Sequence, residues 1–528
     1  MIDKIVIKNF KCFEQLEISD INPMNIIVGN NNEGKSTILQ AINLALTGMY
    51  EGKRLTFGIP PTIFNKKCTN DYLTKIKEDK HSILPKIEIE LYLKENELFT
   101  EFLGNNNSLK IRQQGLKCII RFDEKFQSEY EKMLDKVEDI QNIPVEYYKC
   151  ELIDFANNGF SPQHIPIDVN LIDITSDYGY YTPDKQFIKI MKDKLDDNQK
   201  AQLNLSFRNM KENFGSQNNI KTLNEQINTL YGDLVNKNIT LNVDISSKSS
   251  WETTLTTYFD ETPFNSLGQG EQSIFKIKMA LFENKDKYSL VLIEEPENHL
   301  SHSYLLSLIE YINKNCPNNQ VFITTHSNFV LNKLEMNNVI LLQNSKSLQM
   351  KDLTPDTSKY FTKLSGFNTL RLILSKRSFL VEGASDELLI NKLYFQKYSK
   401  YPQEDEIDII CLNGIAFKRY LEIAKILNLN LVLFTDNDGK FEAKTESYKP
   451  YLYDNCKIII HSDNNLKTME DIIVNNNDLN ILNEIFNTEY TLKEDLLKEM
   501  KSNKTEYAYK LFNSNQTIKY FEEVDDVL

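Results

Sequence analysis

Residues 29–36 read Gly-Asn-Asn-Asn-Glu-Gly-Lys-Ser, between an apolar segment, Asn25–Val28, and an apolar-periodic stretch from Lys35 to Leu46 that stops near Gly48. A strand that runs through a glycine loop straight into a helix commits the chain to a β-loop-α unit. The spacing fits G-x-x-x-x-G-K-[ST], in which backbone N–H groups and the helix dipole cradle phosphate. Gly29, Asn30, Asn32, Gly34, Lys35, Ser36 and Thr37 line that cradle, with Lys35 meeting the β/γ oxygens and the Ser36 hydroxyl ligating Mg²⁺. With only 17 Gly in 528 residues, the match is not a by-product of a glycine-rich composition. An α/β nucleotide-binding fold, with ATP as cofactor, is the expectation.

The rest of the chain must be consistent with that unit. Its 41% hydrophobic and 26% charged residues predict a globular chain of three or four domains. The 61 Lys+Arg against 75 Asp+Glu leave a net charge of -14, so binding to nucleic acid requires a local basic strip or metal ions. No apolar run reaches about 18 residues, and Met1–Phe10 alternates like a strand and unlike a signal peptide. No membrane span and a cytoplasmic location are expected. The 7 Cys are scattered, odd in number and never spaced Cys-x-x-Cys, which speaks against a disulfide framework or a zinc ribbon and for a reducing compartment.

Ile5–Ile7 reads as a first strand, and Lys86–Leu93 with Leu116–Phe122 alternate as a half-exposed antiparallel sheet. The texture then turns charge-rich, and residues 124–141, 187–214 and 220–236 carry apolar residues at helical spacing. Ser289–Glu294 and Gln320–Thr325 are nearly all apolar, as central parallel strands are. A second α/β pattern begins near Ser378: strands Phe379–Glu382, Ile407–Cys411 and Leu431–Asp436, with helices around Ser385–Phe395 and Lys418–Leu427. No fixed-period repeat is visible, and Asn105–Asn107 and Asn475–Asn477 read as loops.

Three further motifs bear on the nucleotide. Strand Leu290–Ile293 delivers Glu294-Glu295-Pro296, in which the first acid holds the metal and the second polarises water for attack on the γ-phosphate. Alone, two acids there would be a solvated strand end. Thr324-Thr-His326-Ser327 ends another apolar strand, placing His326 as a γ-phosphate sensor, although a lone His at such a place is commonly structural. Ahead of both, and after the phosphate loop in the chain, lies Ser266-Leu-Gly268-Gln-Gly270-Glu-Gln272. In this order the set resembles the ABC-type ATPase heads of the RecF and SMC group. Gly268 stands where that group has Ser, and Glu294 replaces its commoner Asp. The resemblance implies that the signature around Gly268 and Gly270 caps ATP bound to another protomer, hence a homodimer or higher homo-oligomer. His299 and His302 lack a third ligand for zinc and read as loop residues; Gln141 and Gln163 are unsupported candidates for the Q-loop glutamine.

The second α/β pattern carries the other chemistry. Glu382 ends its first strand, Asp386 follows one helical turn later, and Thr435-Asp436-Asn-Asp438 ends its third. Open parallel sheets bind ligands at the carboxyl ends of their strands, and four carboxylates meeting there repel unless divalent cations neutralise them. For Asp436-x-Asp438 alone, a solvated acidic edge is the competing reading. Glu382-Gly with Asp436-x-Asp438 resembles a Toprim domain, and an ABC-type head followed by a Toprim domain resembles the OLD-family nucleases, most of all those of Gabija-type phage-defence systems. The resemblance implies that Glu382, Asp386, Asp436 and Asp438 hold one or two Mg²⁺ or Mn²⁺ ions, with Glu470 (or its neighbour Asp471) as a further acid. It also implies a late lysine on the phosphate, best matched by Lys504, with Lys501 and Lys510 in competition.

The expected fold is α/β: an ABC-type ATPase head with an inserted helical dimerisation region, followed by a Toprim doubly wound α/β domain. Its segments are a head lobe over 1–150, the helical insertion over 151–250, a second head lobe over 251–360 and the Toprim domain over 370–528. The expected function is an ATP-regulated, divalent-metal-dependent DNA endonuclease or nickase in antiphage defence, alone or with a helicase or other operon partner. Catalysis falls to Glu382, Asp436, Asp438 and Lys504 on DNA, and to Glu295 on ATP. The alternative is a DNA-clamping or partner-recruiting ATPase with a silent Toprim domain. Topoisomerase and primase chemistries lack their additional domains, and zinc-hooked repair proteins lack a Cys-x-x-Cys and a long heptad arm.

Overall fold

The computed structural model describes residues 1–55, 58–79, 82–173, 188, 191–192, 195–235, 240–243, 251–280, 288–298, 300–315, 319–334, 336–350, 353–363, 369–412 and 417–528. His299 and Cys316 lie outside them, as do Phe187 and Asn236 at the ends of two predicted helices. Two compact units divide the chain: Met1–Lys11 with Ile38–Ile323, and Cys12–Thr37 with Thr324–Leu528.

In the first unit, Ile2–Phe10, Ile87–Leu93, Gln113–Phe122 and Tyr148–Asp154 pair antiparallel in that order, with Ile5 opposite Leu91 and Ile87 opposite Ile120. The half-exposed face predicted for this sheet is found at its far strands, where Arg121 and Lys149 reach water, but not at Ile87–Leu93, every residue of which is buried. The reason lies on the neighbouring strand. Lys117 Nζ sits 3.0 Å from Glu88 and 2.9 Å from Glu90, and the Ser108 backbone N–H also donates to Glu90 at 3.0 Å. Burial opposes the ionised Glu90, but Ser108 and Lys117 outweigh it and hold the carboxyl below its usual range.

Ile167–Asp173 runs parallel to Tyr288–Glu294 in full register, Asp173 opposite Glu294, with Asn319–Thr324 on the other side. Residues 151–173, placed by sequence in the helical insertion, thus carry strands Tyr148–Asp154 and Ile167–Asp173. Helices follow at Asp197–Ser216 and Asn218–Val235. Ile188, Met191 and Lys192 are already helical, but the helix predicted over 187–214 is interrupted at Leu195–Asp196, where Asp196 caps a new helix, accepting from the Gln199 N–H while Gln199 returns the bond. The helix predicted over 124–141 is broken: Gln127–Leu134 is α-helical, flanked by single 3₁₀ turns at Glu124–Phe126 and Val137–Asp139.

In the second unit, Met24–Gly29 is wholly buried and pairs parallel with Val339–Gln343, which turns back into Lys346–Gln349. The second α/β pattern is a four-stranded parallel sheet in the order Ile407–Cys411, Arg377–Val381, Leu431–Phe434, Cys456–Ile459. Its apolar face, including Phe379, Val381, Val432 and Phe434, packs with helices Ala384–Tyr398, Met469–Asn476 and Lys504–Asn513 in one core. Asn475–Asn477 is not a loop, since the first two residues end a helix. Buried Asn477 closes it, bonding Ile473 O at 2.8 Å and the Lys519 backbone at 2.8 and 2.9 Å. No helix among the described residues is long and apolar enough to cross a membrane.

Candidate functional site

The phosphate loop is shaped by close packing. Gly34 has φ +96°, and a Cβ there would stand 2.4 Å from Phe13 Cζ and 2.5 Å from Cys12 Sγ. A Cβ on Gly29 would meet Leu342 O at 2.9 Å, so both motif glycines are sterically required. The loop wraps the Lys35 ammonium, which donates to Gly29 O at 3.0 Å and Asn30 O at 3.1 Å, and Lys35 opens the helix Lys35–Thr47. Thr37 is buried and accepts from Cys12 Sγ, while Asn32 and Ser36 lie on the more open side. Asn30, Glu33 and exposed His326 line a cleft of about 950 Å³, to which Arg371 and Asp408 also belong. Two bonds tie this loop region to the segment leading into the four-stranded sheet: Asn30 Nδ2 to Leu374 O at 3.0 Å, and the Leu370 N–H to Asn328 Oδ1 at 2.7 Å.

In the first unit, Glu294 ends the strand Tyr288–Glu294, and Glu295 follows with φ +42°. The Glu295 carboxylate accepts from Asn298 Nδ2 at 2.8 Å. Gly268 and Gly270 stand at the start of the helix Gln269–Ala280, whose first turn is closed by Gln272 N–H to Gly268 O at 3.1 Å. A Cβ on Gly268 would meet nothing, so this glycine is not demanded by packing.

The carboxylates gather at the strand ends of the four-stranded sheet. Glu382 directly follows Arg377–Val381, and Asp386 folds back to accept from the Gly383 N–H at 3.0 Å. Asp436 lies two residues beyond Leu431–Phe434, and Glu470 enters from the first turn of Met469–Asn476. Burial, then the charges of Asp386, Glu382 and Glu470, push the Asp436 carboxyl up to about 8. Burial also leads for Asp386, helped by Glu382 and Glu470 against the Gly383 bond, and lifts it to about 6. Glu470 is 2% exposed, and its Oε2 has no hydrogen-bond partner. Lys504 Nζ stands 3.5 Å from that oxygen, whereas Lys501 pairs with Asp471 at 2.7 Å and Lys510 lies over the Tyr507 ring. Thus Lys504 stands by Glu470, Lys501 by the alternative acid Asp471, and Lys510 by an aromatic ring.

These residues suit a divalent cation: hard oxygen donors, carboxyls whose charge is disfavoured by burial and by one another, and a buried Glu470 oxygen without a hydrogen-bond donor. Among the described residues no three His, Cys, Asp or Glu side chains stand together as a ready-made cage. Asp438, 66% exposed with φ +51°, is turned to Lys444 at 2.8 Å, which also reaches Glu382 at 3.2 Å.

Sequence reasoning missed four residues here. The Thr435 hydroxyl donates to Glu382. Buried Asn437 pins the Asp-x-Asp turn through Nδ2 to His461 O and Asp463 O, both at 2.8 Å, and Leu466 O at 3.2 Å, while its Oδ1 accepts the Gly439 N–H. Tyr520 places a buried, unpartnered hydroxyl within the field of Asp436, Asp386 and Glu470. Lys444 is the fourth. Asn437, as the middle of Asp-x-Asp, is the one whose position in the motif was a signal.

Comparison with known proteins now bears on this arrangement. A profile of the AAA ATPase domain matches residues 1–331. The chain belongs to the AAA ATPase domain family. Residues 373–438 match the Toprim domain of overcoming-lysogenization-defect-like proteins, so this ATPase carries an OLD-like Toprim domain after it. Endonuclease GajA of Bacillus cereus is 23% identical over 470 residues, 83% of this chain and 75% of that one. The OLD nuclease of Thermus scotoductus is 38% identical over 69 residues, 13% of each chain. A solved SMC head bound to the C-terminal winged-helix domain of ScpA superposes with TM-score 0.34 at 14% identity, covering 66% of this chain and 95% of that one.

Proposed function

We propose that this AAA ATPase domain protein is an ATP-regulated, divalent-metal-dependent DNA endonuclease or nickase, acting in the cytoplasm as an antiphage effector. The observation that carries it is the carboxylate cluster at the strand ends of the four-stranded sheet, where Glu382 follows one strand, Asp436 its neighbour, and burial with the charges of Asp386, Glu382 and Glu470 raises the Asp436 carboxyl, as a site built for a divalent cation would. Glu382, Asp386, Asp436, Asp438 and Glu470 are the residues to hold Mg²⁺ or Mn²⁺. The bound metal supplies charge stabilisation to the attacking and leaving oxygens of a phosphodiester. Lys504, already beside Glu470, would neutralise the phosphate once that acid is otherwise engaged, and Asn437 keeps the Asp436–Asp438 turn from collapsing.

At the phosphate loop, Lys35 and Ser36 are assigned to ATP and its Mg²⁺, Glu294 to the same metal, Glu295 to the attacking water and His326 to the γ-phosphate. Support for a homo-oligomer comes from exposed Leu205, Met210, Phe214 and Leu223 on the helices Asp197–Ser216 and Asn218–Val235. A helicase or other defence-operon partner belongs to the same reading. The likeness to Endonuclease GajA over most of both chains points the same way. The second reading is a DNA-clamping or partner-recruiting ATPase with a silent Toprim domain.

Relaxation of supercoiled plasmid decides between them. Cutting restored to EDTA-stripped protein by Mg²⁺ or Mn²⁺, and lost in Glu382→Ala, supports the nuclease; ATP titration with Lys35→Ala alongside then gives the sign of regulation. DNA retention without cutting under every metal condition supports the clamp.

A further inference from the structure

Lys444 lies on the helix Phe441–Tyr448, which begins directly after Asp438-Gly439-Lys440. Positive φ values at Asp438 (+51°) and Gly439 (+73°) fold the chain back, so that the first full turn of this helix overlooks the Asp-x-Asp turn it has just left. The Lys444 side chain is only 18% exposed, and its ammonium stands 2.8 Å from Asp438 Oδ2 and 3.2 Å from Glu382 Oε1. It therefore bridges acids from the ends of two neighbouring parallel strands. A lysine that merely decorated the surface would keep its ammonium in water, because burying the stem together with the charge costs rotamer entropy and hydration. Burial does work against this ammonium, but Asp438 and Glu382 outweigh it.

The cluster thus has two lysine partners, half-exposed Lys504 and more deeply set Lys444. Lys504 serves Glu470, and Lys444 serves the Glu382–Asp438 pair. A divalent cation bound by Glu382 and Asp438 together would need the ground that the Lys444 ammonium holds, and the two cannot share it, since like charges a few ångströms apart repel strongly. We infer that Lys444 is a built-in competitor for the divalent cation: it holds Glu382 and Asp438 in the metal-free protein, yields them when the site loads, and so sets the metal concentration at which loading occurs. This rests on the metal-dependent reading of the site given above. It makes Lys444 a positioning residue, acting on the acids and not on the scissile bond.

The test is Mn²⁺ binding by the full-length, EDTA-stripped protein without DNA or nucleotide, followed by the electron paramagnetic resonance signal of free Mn²⁺ and by calorimetry. Lys444→Gln keeps the length and polarity of the side chain but removes its charge, and is expected to tighten Mn²⁺ binding by about fivefold to tenfold. Lys444→Arg, which offers the same acids a permanently charged fork, is expected to bind Mn²⁺ no more tightly than the wild type. Lys440→Gln removes a positive charge from the same turn without touching the bridge, and is expected to leave the affinity within about twofold. Unchanged or weaker binding by a folded Lys444→Gln overturns the inference. So does an equal gain in Lys440→Gln, which would make the effect one of general field. If Lys444→Gln fails to fold, Lys444→Arg decides alone, and tighter binding than the wild type refutes competition. Should neither the wild type nor Lys444→Gln take up Mn²⁺, the metal-dependent reading itself falls and the inference with it; tight, Glu382-dependent uptake that ignores position 444 removes only the inference.

Discussion

The Asp436 carboxyl gives the sharpest consequence of the site's electrostatics. It is shifted from an ordinary 3.8 to about 8 in the folded, metal-free protein. Between those values the folded state holds a proton that the unfolded chain has released, so the unfolded state binds fewer protons and stability falls as pH rises through the window. By pH 7 about three pH units of mismatch, at about 1.4 kcal/mol each, bound the penalty at about 4 kcal/mol. Because neighbouring acids share the repulsion, removing one charge should recover about 1–3 kcal/mol of it. Asp436→Asn, measured by differential scanning calorimetry in EDTA, should therefore melt higher than the wild type at pH 8, by about 2–8 °C for the transition of the C-terminal unit. The advantage should shrink steadily toward pH 5, where the wild-type carboxyl keeps its proton at little cost. Adding Mn²⁺ should reverse the ranking, stabilising the wild type and leaving the Asn variant nearly unmoved. An advantage that does not grow between pH 5 and pH 8 would refute the claim that these acids are held together against their own charge.

Other substitutions test separate parts of the structure. Lys117→Met strands Glu88 and Glu90 without their shared cation and should cost about 3–5 kcal/mol in urea unfolding of the first unit; a loss below about 1 kcal/mol would show that the pair is screened by solvent. Asn437→Ala removes the amide that donates to three backbone carbonyls and holds the Asp-x-Asp turn, and should cost about 2–3 kcal/mol while weakening Mn²⁺ binding, whereas full affinity would mean that the turn holds itself. Gly34→Ala combines a positive φ with a clash against Phe13 and Cys12, and should abolish binding of a fluorescent ATP analogue even where circular dichroism shows a folded chain. Retention of nucleotide affinity in that variant would remove Gly34 from the cradle.

What the sequence made legible was local. The phosphate loop and the strand ends bearing Glu382 and Asp436 are read from contiguous residues, because a Gly-rich turn or an acid after an apolar strand carries its geometry within about ten positions. What stayed hidden was decided across the fold. Glu88 and Glu90 looked like the wet face of a half-exposed strand because their cation, Lys117, comes from the next strand. Lys501, Lys504 and Lys510 lie so close together that only tertiary packing separates the one on Glu470 from the one on Asp471. Lys444 had no motif at all, since what singles it out is a bridge between Asp438, six positions away, and Glu382, sixty-two positions away. Helix limits failed where capping overrode periodicity, as at Asp196.

The central claim, that the Toprim carboxylates cut DNA, is met most directly by single-turnover nicking of supercoiled plasmid with Mn²⁺ by the wild type and Asp436→Asn side by side. The Asn variant, although folded and more stable without metal, is expected to nick at least about a hundredfold more slowly. Nicking at the wild-type rate by that variant would contradict the claim.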